Sequence, residues 1–323
     1  MPASCPVLKQ KMVELHSLKE QFNVAFEEGT KNKDFSQAQK LKVELEKMVK
    51  EIEAEFSISI EHAEKIFGKE RIIGPEDINK ALGFSPKIEE IPFTEEEMRQ
   101  HEKLGDILVY EATTTPEGRP LTVDAMSKIL KTNLIKSGEY LLYKDQFNDD
   151  GGVKMDNAWF AKDDKVMKTV PDGGWKFVSP EVISGSEDKD YVGQIDFMID
   201  YFKTTVFKGN VPEEYKEVFK QWDKDKDTIK NNAEELANHP ISKLLGESFA
   251  SSVYRLIVLR QAKGKKILEN MYTRSNTLSS GGNLVRFGSA DSEGARVYGG
   301  EPDYSHSSLG LVSSVRSSLN KKL

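Results

Sequence analysis

The stretch "ENMYTRSNTLSSGGNLVRFGSADSEGARVYGGEPDYSHSSLGLVSSVRS", residues 269–317, decides the fold class. It has no helical period, and its apolar residues fall into the strand-like fragments "NLVRFG", "ARVY" and "GLVSSV" between polar loops. Residues 190–270, which precede it, show helical apolar spacing. Helices followed by short strands predict an α+β fold class.

The N-terminal part predicts a pair of helices over residues 1–56. Apolar residues advance by three and four from Leu8 to Phe26, with Gly29 as the expected end of the first helix. A second run from Ala38 to Phe56 repeats at near-heptad spacing, after the helix-breaking stretch "GTKNKD". We expect a helical hairpin or an oligomerising coiled coil.

The chain between the hairpin and the C-terminal strands divides into two further units. Residues 57–92 predict a small helical adaptor, with Pro75 at a first helical position and Gly83 after the last. Thr94 and Glu97 form a capping box, after which "DILVYEA" alternates as a strand does. Turn-rich segments separate "EYLLY" and "WKFVS" further on. We predict an α+β domain over residues 93–317 and a tail over 318–323.

Composition and charge favour a protein that works in the cytoplasm without nucleic acid or a membrane as partner. The net charge of −7 offers no basic footprint for anionic partners. Cys5 is the sole cysteine, so an intrachain disulfide is excluded. The start of the chain lacks the pattern of a secretory signal, and no apolar run approaches the ~20 residues that span a bilayer.

Catalytic and metal-binding signatures are weak, which predicts a protein that is not an enzyme and uses no cofactor or metal. The five histidines never pair at metal-ligand spacing, and glycine-rich phosphate-binding motifs are missing from the sequence. "GESFA" around Ser248 resembles a nucleophile elbow but lies in a helical pattern. Asp223 to Glu234 match the ligand spacing of a calcium loop, although Thr228 replaces the glycine; a solvated helical face is the other interpretation.

Four short clusters in the C-terminal stretch share an unusual composition. Arg274–Thr277, Ser289–Asp291, Tyr298–Gly300 and Tyr304–Ser307 contain only residues that adenine changes in an Asn codon can reach. Tyr supplies stiff contact area while Ser, Gly, Asn and Asp adapt their hydrogen bonds, which suits binding loops. The same residue types also occur in ordinary surface turns.

Residues 31–53, "KNKDFSQAQKLKVELEKMVKEIE", resemble the UVR motif, a helical hairpin used for protein docking. Asp34, Phe35, Ala38, Leu41 and Leu45 carry this resemblance. It implies a helical partner, and the helical pattern of residues 8–56 also allows self-association.

Residues 269–317 resemble the closing half of a C-type-lectin-like, or formylglycine-generating-enzyme-like, fold. The anchors that carry the resemblance are Val285, Gly288, Gly294, Val297, Pro302, Leu309, Gly310 and Arg316. The oxidase activity of the sulfatase-modifying relatives needs cysteines, which this segment lacks, so that activity does not carry over.

Over residues 56–317 the sequence is similar to a protein family of small-genome candidate-phylum bacteria whose members look like variable proteins of diversity-generating retroelements. In such systems a mutagenic reverse transcriptase alters codons at template adenines, and the lectin fold displays the altered side chains. The resemblance implies a variable binding surface on a fixed scaffold.

These observations predict a non-enzymatic module that binds an unknown protein or small-molecule ligand through its C-terminal loops. Tyr298 and Tyr304 would be aromatic anchors, and Arg296 and Asp303 charge-specific contacts. The alternative is an intracellular scaffold that acts through its N-terminal hairpin and carries an unvaried lectin-like domain. The predicted ligand-binding residues are Arg274, Ser275, Asn276, Ser289, Asp291, Arg296, Tyr298, Gly299, Asp303, Tyr304, Ser305, His306 and Ser307.

Overall fold

The computed structural model describes residues 6–56, 58–88, 90–137, 141–142, 159–291 and 294–316. The predicted tail, residues 318–323, lies outside these ranges, as does most of the predicted strand "EYLLY". The α+β fold class is confirmed, with helices between Pro6 and Lys263 and strands in two sheets.

Two long helices form the predicted hairpin: α1 (Pro6–Asn32) and α2 (Ser36–Phe56) pack against each other. The expectation that Gly29 ends the first helix is wrong, because α1 continues to Asn32. Gly29 serves a different purpose: a Cβ there would lie 2.8 Å from the Phe35 ring, so the glycine lets the start of the second helix approach. Lys33, with φ of 57°, makes the turn.

Local capping signals place the next helices as predicted. Helices α3 (Ile60–Phe67) and α4 (Pro75–Leu82) flank strand β1 (Ile72–Ile73). Pro75 begins α4, and Gly83 ends it in the left-handed conformation. In α5 (Glu95–Leu104) the Thr94 hydroxyl accepts from the Glu97 amide while the Glu97 carboxylate accepts from the Thr94 amide, which confirms the capping box.

In the middle of the chain, two strands of the first sheet enclose two helices. These elements are β2 (Ile107–Glu111), α6 (Val123–Ser137), α7 (Asp164–Met167) and β3 (Gly174–Val178). A helical region follows, with α8 (Tyr191–Tyr201), α9 (Glu213–Ile229), α10 (Ala233–Asn238), α11 (Pro240–Leu245) and α12 (Phe249–Lys263). A π-helical turn, Phe202–Val206, extends α8. The C-terminal strands are β4 (Tyr272–Leu278), β5 (Leu284–Asp291), β6 (Gly294–Gly300), β7 (Leu309–Gly310) and β8 (Ser314–Arg316).

Two four-stranded sheets organise these elements. The first has the order β1-β2-β3-β8, in which β1 and β2 are parallel and the other pairs antiparallel. The second has the order β6-β5-β4-β7, with antiparallel β6-β5-β4 and parallel β4-β7. Strand β1 belongs to the predicted unit of residues 57–92, and β2 belongs to the predicted unit of residues 93–317. The first sheet therefore joins strands from both predicted units.

The core lies on both faces of the first sheet, and it reaches both faces of the second. In β2, Leu108 packs in one apolar cluster and Val109 in the other, because successive side chains of a strand point to opposite faces. Helix α12 is buried along most of its length and contacts α4, α6 and both sheets. Val285, Phe287 and Val297 of the second sheet join the cluster around α12, whereas Leu284, on the opposite face, joins the other cluster. The rest of that opposite face carries polar and aromatic side chains.

Candidate functional site

The outer face of the second sheet gathers arginine and tyrosine side chains. Arg274 of β4 lies opposite Arg286 of β5, and Arg286 lies opposite Tyr298 of β6. The intervening residues Val285 and Phe287 point into the core. Since side chains alternate along a strand, the register alone brings one residue from each strand to the same face.

Arg286 occupies the centre of this face. Its guanidinium carbon lies 4.0 Å from the centroid of the Tyr304 ring and 5.8 Å from that of Tyr298. Its Nη2 donates a hydrogen bond to the Gly299 carbonyl oxygen at 3.0 Å. Contacts between a cation and the face of an aromatic ring are attractive, so Arg286 holds both tyrosines in place.

A shallow cavity of about 520 Å³ opens beside Arg286. A Cβ on Gly300 would lie 3.0 Å from the Arg286 Nε, and one on Gly299 would lie 3.2 Å from the Asn283 Cβ. The two glycines therefore keep the cavity open, because side chains there would have to displace its walls. The cavity is lined by Asn283, Arg286, Gly299, Gly300, Glu301, Asp303 and Tyr304.

The loop of residues 301–308, which carries Tyr304, is held by hydrogen bonds to its backbone carbonyl groups. The Tyr191 amide of α8 donates to the Pro302 carbonyl at 2.8 Å, and the Asp188 amide donates to the His306 carbonyl at 3.1 Å. Arg274 donates to the Tyr304 carbonyl and, at 2.7 Å, to the Gln194 Oε1. These backbone bonds fix the loop independently of its side chains, which leaves the side chains open to contact a ligand.

Some of the predicted ligand-binding residues lie at the protein surface, and others lie partly or fully beneath it. Tyr298 and Tyr304 are 45% and 39% exposed, and Gly299 is half-buried beside them. The loop residues Asp303, Ser305, His306 and Ser307 are exposed. Asn276, Ser289, Asp291 and Arg296 are half-buried.

The structure buries two of the predicted residues, Arg274 and Ser275, at 1% and 0% exposure. Arg274 lies beneath the Tyr304 loop with its guanidinium over the Tyr191 ring, and the Ser275 hydroxyl donates to the Val285 carbonyl at 3.0 Å. Burial lowers the pKa of Arg274 to about 10, and Tyr191 opposes that effect. Both residues support the surface from inside and do not reach it.

Arg296 and Asp303, the two predicted charge-specific contacts, occupy different surroundings. Arg296 donates to the Ser289 hydroxyl at 2.7 Å and pairs with Asp291 at 3.3 Å, so its charge is engaged within the β5–β6 hairpin. Asp303 lines the cavity beside Arg286. Arg296 therefore braces the hairpin, and Asp303 is the better placed of the two to meet a ligand.

Sequence reasoning missed Arg286, Asn283 and Glu301. A signal for Arg286 was present in "NLVRFG", where it stands between two apolar residues and so belongs to the outward face of a strand. Asn283 and Glu301 reach the cavity through the pairing of β5 with β6, which a single strand does not display.

The other predicted signatures have structural explanations. Asp223, Asp225 and Asp227 lie within α9, and Lys226 of the same helix contacts Asp223 at 3.7 Å. This arrangement agrees with the helical-face interpretation of the calcium-like spacing. Ser248 begins α12 as its N-cap, accepting from the Ser251 amide. In the described ranges no group of three or more His, Cys, Asp or Glu side chains could hold a metal ion.

Comparison of the chain with protein-family models, with curated proteins and with solved structures gave no match. Within the part of the chain that the structure covers, no helix combines the length and apolar character needed to cross a membrane. The site must therefore be interpreted from its own geometry.

Proposed function

We propose that this protein is a non-enzymatic binding module whose C-terminal surface recognises a protein or small-molecule ligand. The observation that supports the proposal is the pair Tyr298 and Tyr304, both exposed and both in contact with Arg286, with Tyr304 and Arg286 also lining an open cavity. Exposed aromatic residues that are held rigidly give large contact area at low entropic cost, which is what binding anchors require. Asp303 adds a polar contact in the same cavity.

A selection experiment tests this function even though the ligand is unidentified. A random peptide library is selected on the folded protein, and the enriched peptides are measured against a variant with Tyr298→Ala and Tyr304→Ala. The matched control is Trp159→Ala, since Trp159 is exposed to a similar extent, 37%, but lies away from the cavity. We expect the double variant to lose peptide binding at an unchanged melting temperature while the control retains it. Equal binding by all three proteins would contradict the proposal.

The proposal includes diversification of this surface by a retroelement. In its support, the clusters Tyr298–Gly300 and Tyr304–Ser307 are exposed or half-buried, while the anchors that flank or separate them, Val297, Pro302 and Leu309, are buried. The cluster Arg274–Thr277 does not fit this division, because three of its four residues are buried. Sequencing the DNA around the gene tests the idea: a near-copy of the stretch encoding residues 270–316 that differs only opposite adenines is expected.

A second candidate function is that of a scaffold acting through the N-terminal hairpin. Apolar side chains on its outside favour this function: Val13 is 69% exposed, and Val24, Phe26, Phe35 and Val43 are also exposed. Sedimentation analysis of wild type and of a Val24→Lys, Val43→Lys variant tests it. Self-association that the double variant loses supports the scaffold function. A wild type that sediments as a monomer removes the self-association form of this candidate.

A further inference from the structure

A second cavity lies between α5, the turn after α8, the start of α9 and strand β8, and it shares no lining residue with the cavity beside Arg286. Its volume is about 590 Å³, within the size range of small-molecule sites. Its apolar walls come from aromatic and branched side chains: Phe93, Phe177, Val206, Phe207, Tyr215 and Val315. An apolar group of several carbon atoms would therefore be desolvated there.

One wall of this cavity is held rigidly. The His101 ring stacks on Phe177 with centroids 4.0 Å apart, and its Nδ1 lies 2.6 Å from the Asp106 Oδ2. Phe177 also contacts Phe93 at a centroid distance of 4.0 Å. A wall fixed in this way is preorganised, which reduces the entropic cost of binding.

Glu214, in the first turn of α9, has a carboxylate oxygen that accepts no hydrogen bond within the described part of the chain. This oxygen, Oε1, is buried and makes no hydrogen bond to any described residue. Buried polar atoms are almost always hydrogen-bonded, and an unpaired one costs about 1–3 kcal/mol. A change of the Glu214 side-chain rotamer would turn this oxygen into the cavity, where an ammonium group of a ligand would satisfy it.

Some charged side chains around Glu214 already have a partner among the described residues, and others do not. Arg99 pairs with Glu95 at 2.6 Å, Arg316 pairs with Asp172 at 2.7 Å, and Glu97 is engaged in the cap at Thr94. Lys103 and Lys208 line the cavity and form no ion pair with a described residue. Glu96, also on the lining, is exposed to water. The cavity thus offers one unsatisfied acceptor and two available ammonium groups beside an aromatic wall.

We propose that this cavity binds a zwitterion with an apolar side chain, an amino acid or the N-terminus of a short peptide. The ligand's ammonium group donates to Glu214, its carboxylate faces Lys103 or Lys208, and its side chain packs on Phe207, the least buried aromatic residue of the lining. The site requires nothing from the Tyr298–Tyr304 surface, so it stands or falls independently of the function proposed above.

Isothermal titration calorimetry with L-phenylalanine tests the proposal on the full chain. Two analogues separate the charges: 2-phenylethylamine lacks the carboxylate, and 3-phenylpropanoate lacks the ammonium. We expect the amino acid to bind more tightly than either analogue. The dipeptide Phe-Ala distinguishes the two sources, because tighter binding than that of the free amino acid indicates a peptide N-terminus.

Glu214→Gln and Glu217→Gln form a matched pair of variants. Both lie on α9 and lose one charge, but Glu217 does not line the cavity. Loss of a charge-assisted hydrogen bond should weaken L-phenylalanine binding at least about tenfold in Glu214→Gln, with no change in Glu217→Gln. The proposal is overturned if L-phenylalanine gives no heat of binding, or if it binds Glu214→Gln as tightly as wild type. Circular dichroism of both variants confirms that each is folded.

Discussion

The Arg286 guanidinium carbon lies 4.0 Å from the centroid of the Tyr304 ring. Arg286 belongs to a central strand of the second sheet, and Tyr304 to the loop that follows β6. A scaffold residue therefore sets the orientation of an exposed loop residue. Because the ring is held before any ligand arrives, little of the binding free energy would be spent on ordering it.

Replacing Arg286 with alanine should loosen the Tyr304 loop while the sheet remains intact. The change removes the contacts with both tyrosine rings and the hydrogen bond to Gly299. We expect the free energy of unfolding to fall by about 1–2.5 kcal/mol, the combined scale of an exposed cation–π contact and one hydrogen bond. Urea unfolding measures it. The exposed Arg119→Ala is the control and should unfold as wild type does.

Replacing Arg274 with alanine should have a larger effect, because Arg274 is buried. The change leaves the Gln194 Oε1 and the Tyr304 carbonyl without their donor. Because these buried acceptors lose a charged donor and gain no other, we expect the free energy of unfolding to fall by about 2–3 kcal/mol. The same urea titration measures this loss. A variant that keeps its stability but loses ligand binding would mean that Arg274 contacts ligand directly, as its residue type predicts.

Arg274 also shows why part of the site escaped prediction from the sequence. The capping box at Thr94 and Glu97 and the helix start at Pro75 were predictable, since each depends on residues a few positions apart. The burial of Arg274 depends on α8, which supplies Gln194 and Tyr191, far away in the chain. Residue type alone marked Arg274 as a surface residue, whereas long-range packing placed it beneath the surface.

In the sheets, too, local features were predictable from the sequence and long-range contacts were not. The strand character of "NLVRFG" and "ARVY" was visible as short apolar fragments, and these became β5 and β6. The pairing of β3 with β8, which brings Lys176 opposite Arg316, left no local signal. Pairings between distant segments are decided by the whole core, and a single sequence does not display them.

Gly288→Ala should destabilise the second sheet. Gly288 has φ of 155°, and an added Cβ would lie against the Met271 carbonyl and 2.6 Å from the Tyr272 Cα. Backbone atoms cannot move aside as a flexible side chain can, so β4 and β5 would have to separate. We expect a loss of more than about 2 kcal/mol in the free energy of unfolding.

Gly282→Ala provides the control for Gly288→Ala. Gly282 has φ of 80°, and an added Cβ there meets nothing within 4 Å. Only the conformational cost of a left-handed alanine remains, about 1 kcal/mol. Thermal unfolding measures the stability of both variants. If both lose the same stability, the close approach of β4 to Gly288 is not the cause of the loss.

His239 should make the stability of the protein depend on pH. Its Nδ1 accepts a hydrogen bond from the Ile241 amide at 3.1 Å and so caps α11, which requires the neutral ring. Burial lowers the pKa of His239 below its usual 6.5, although Asp225, 3.4 Å from the Nε2, opposes this effect. The unfolded chain therefore binds a proton at a higher pH than the folded chain does, and stability should decrease as the pH falls below about 6.5.

His239→Asn removes this contribution, because asparagine can cap α11 without titrating. We expect wild type and variant to have similar free energies of unfolding at about pH 7.5, and the wild type to lose more stability than the variant by about pH 5.5. Urea unfolding at both pH values measures the difference. His16→Asn is the control: His16 is exposed on α1 and caps no helix, so this variant should keep the wild-type pH dependence. If His239→Asn and wild type lose stability equally over this interval, His239 is not the titrating group.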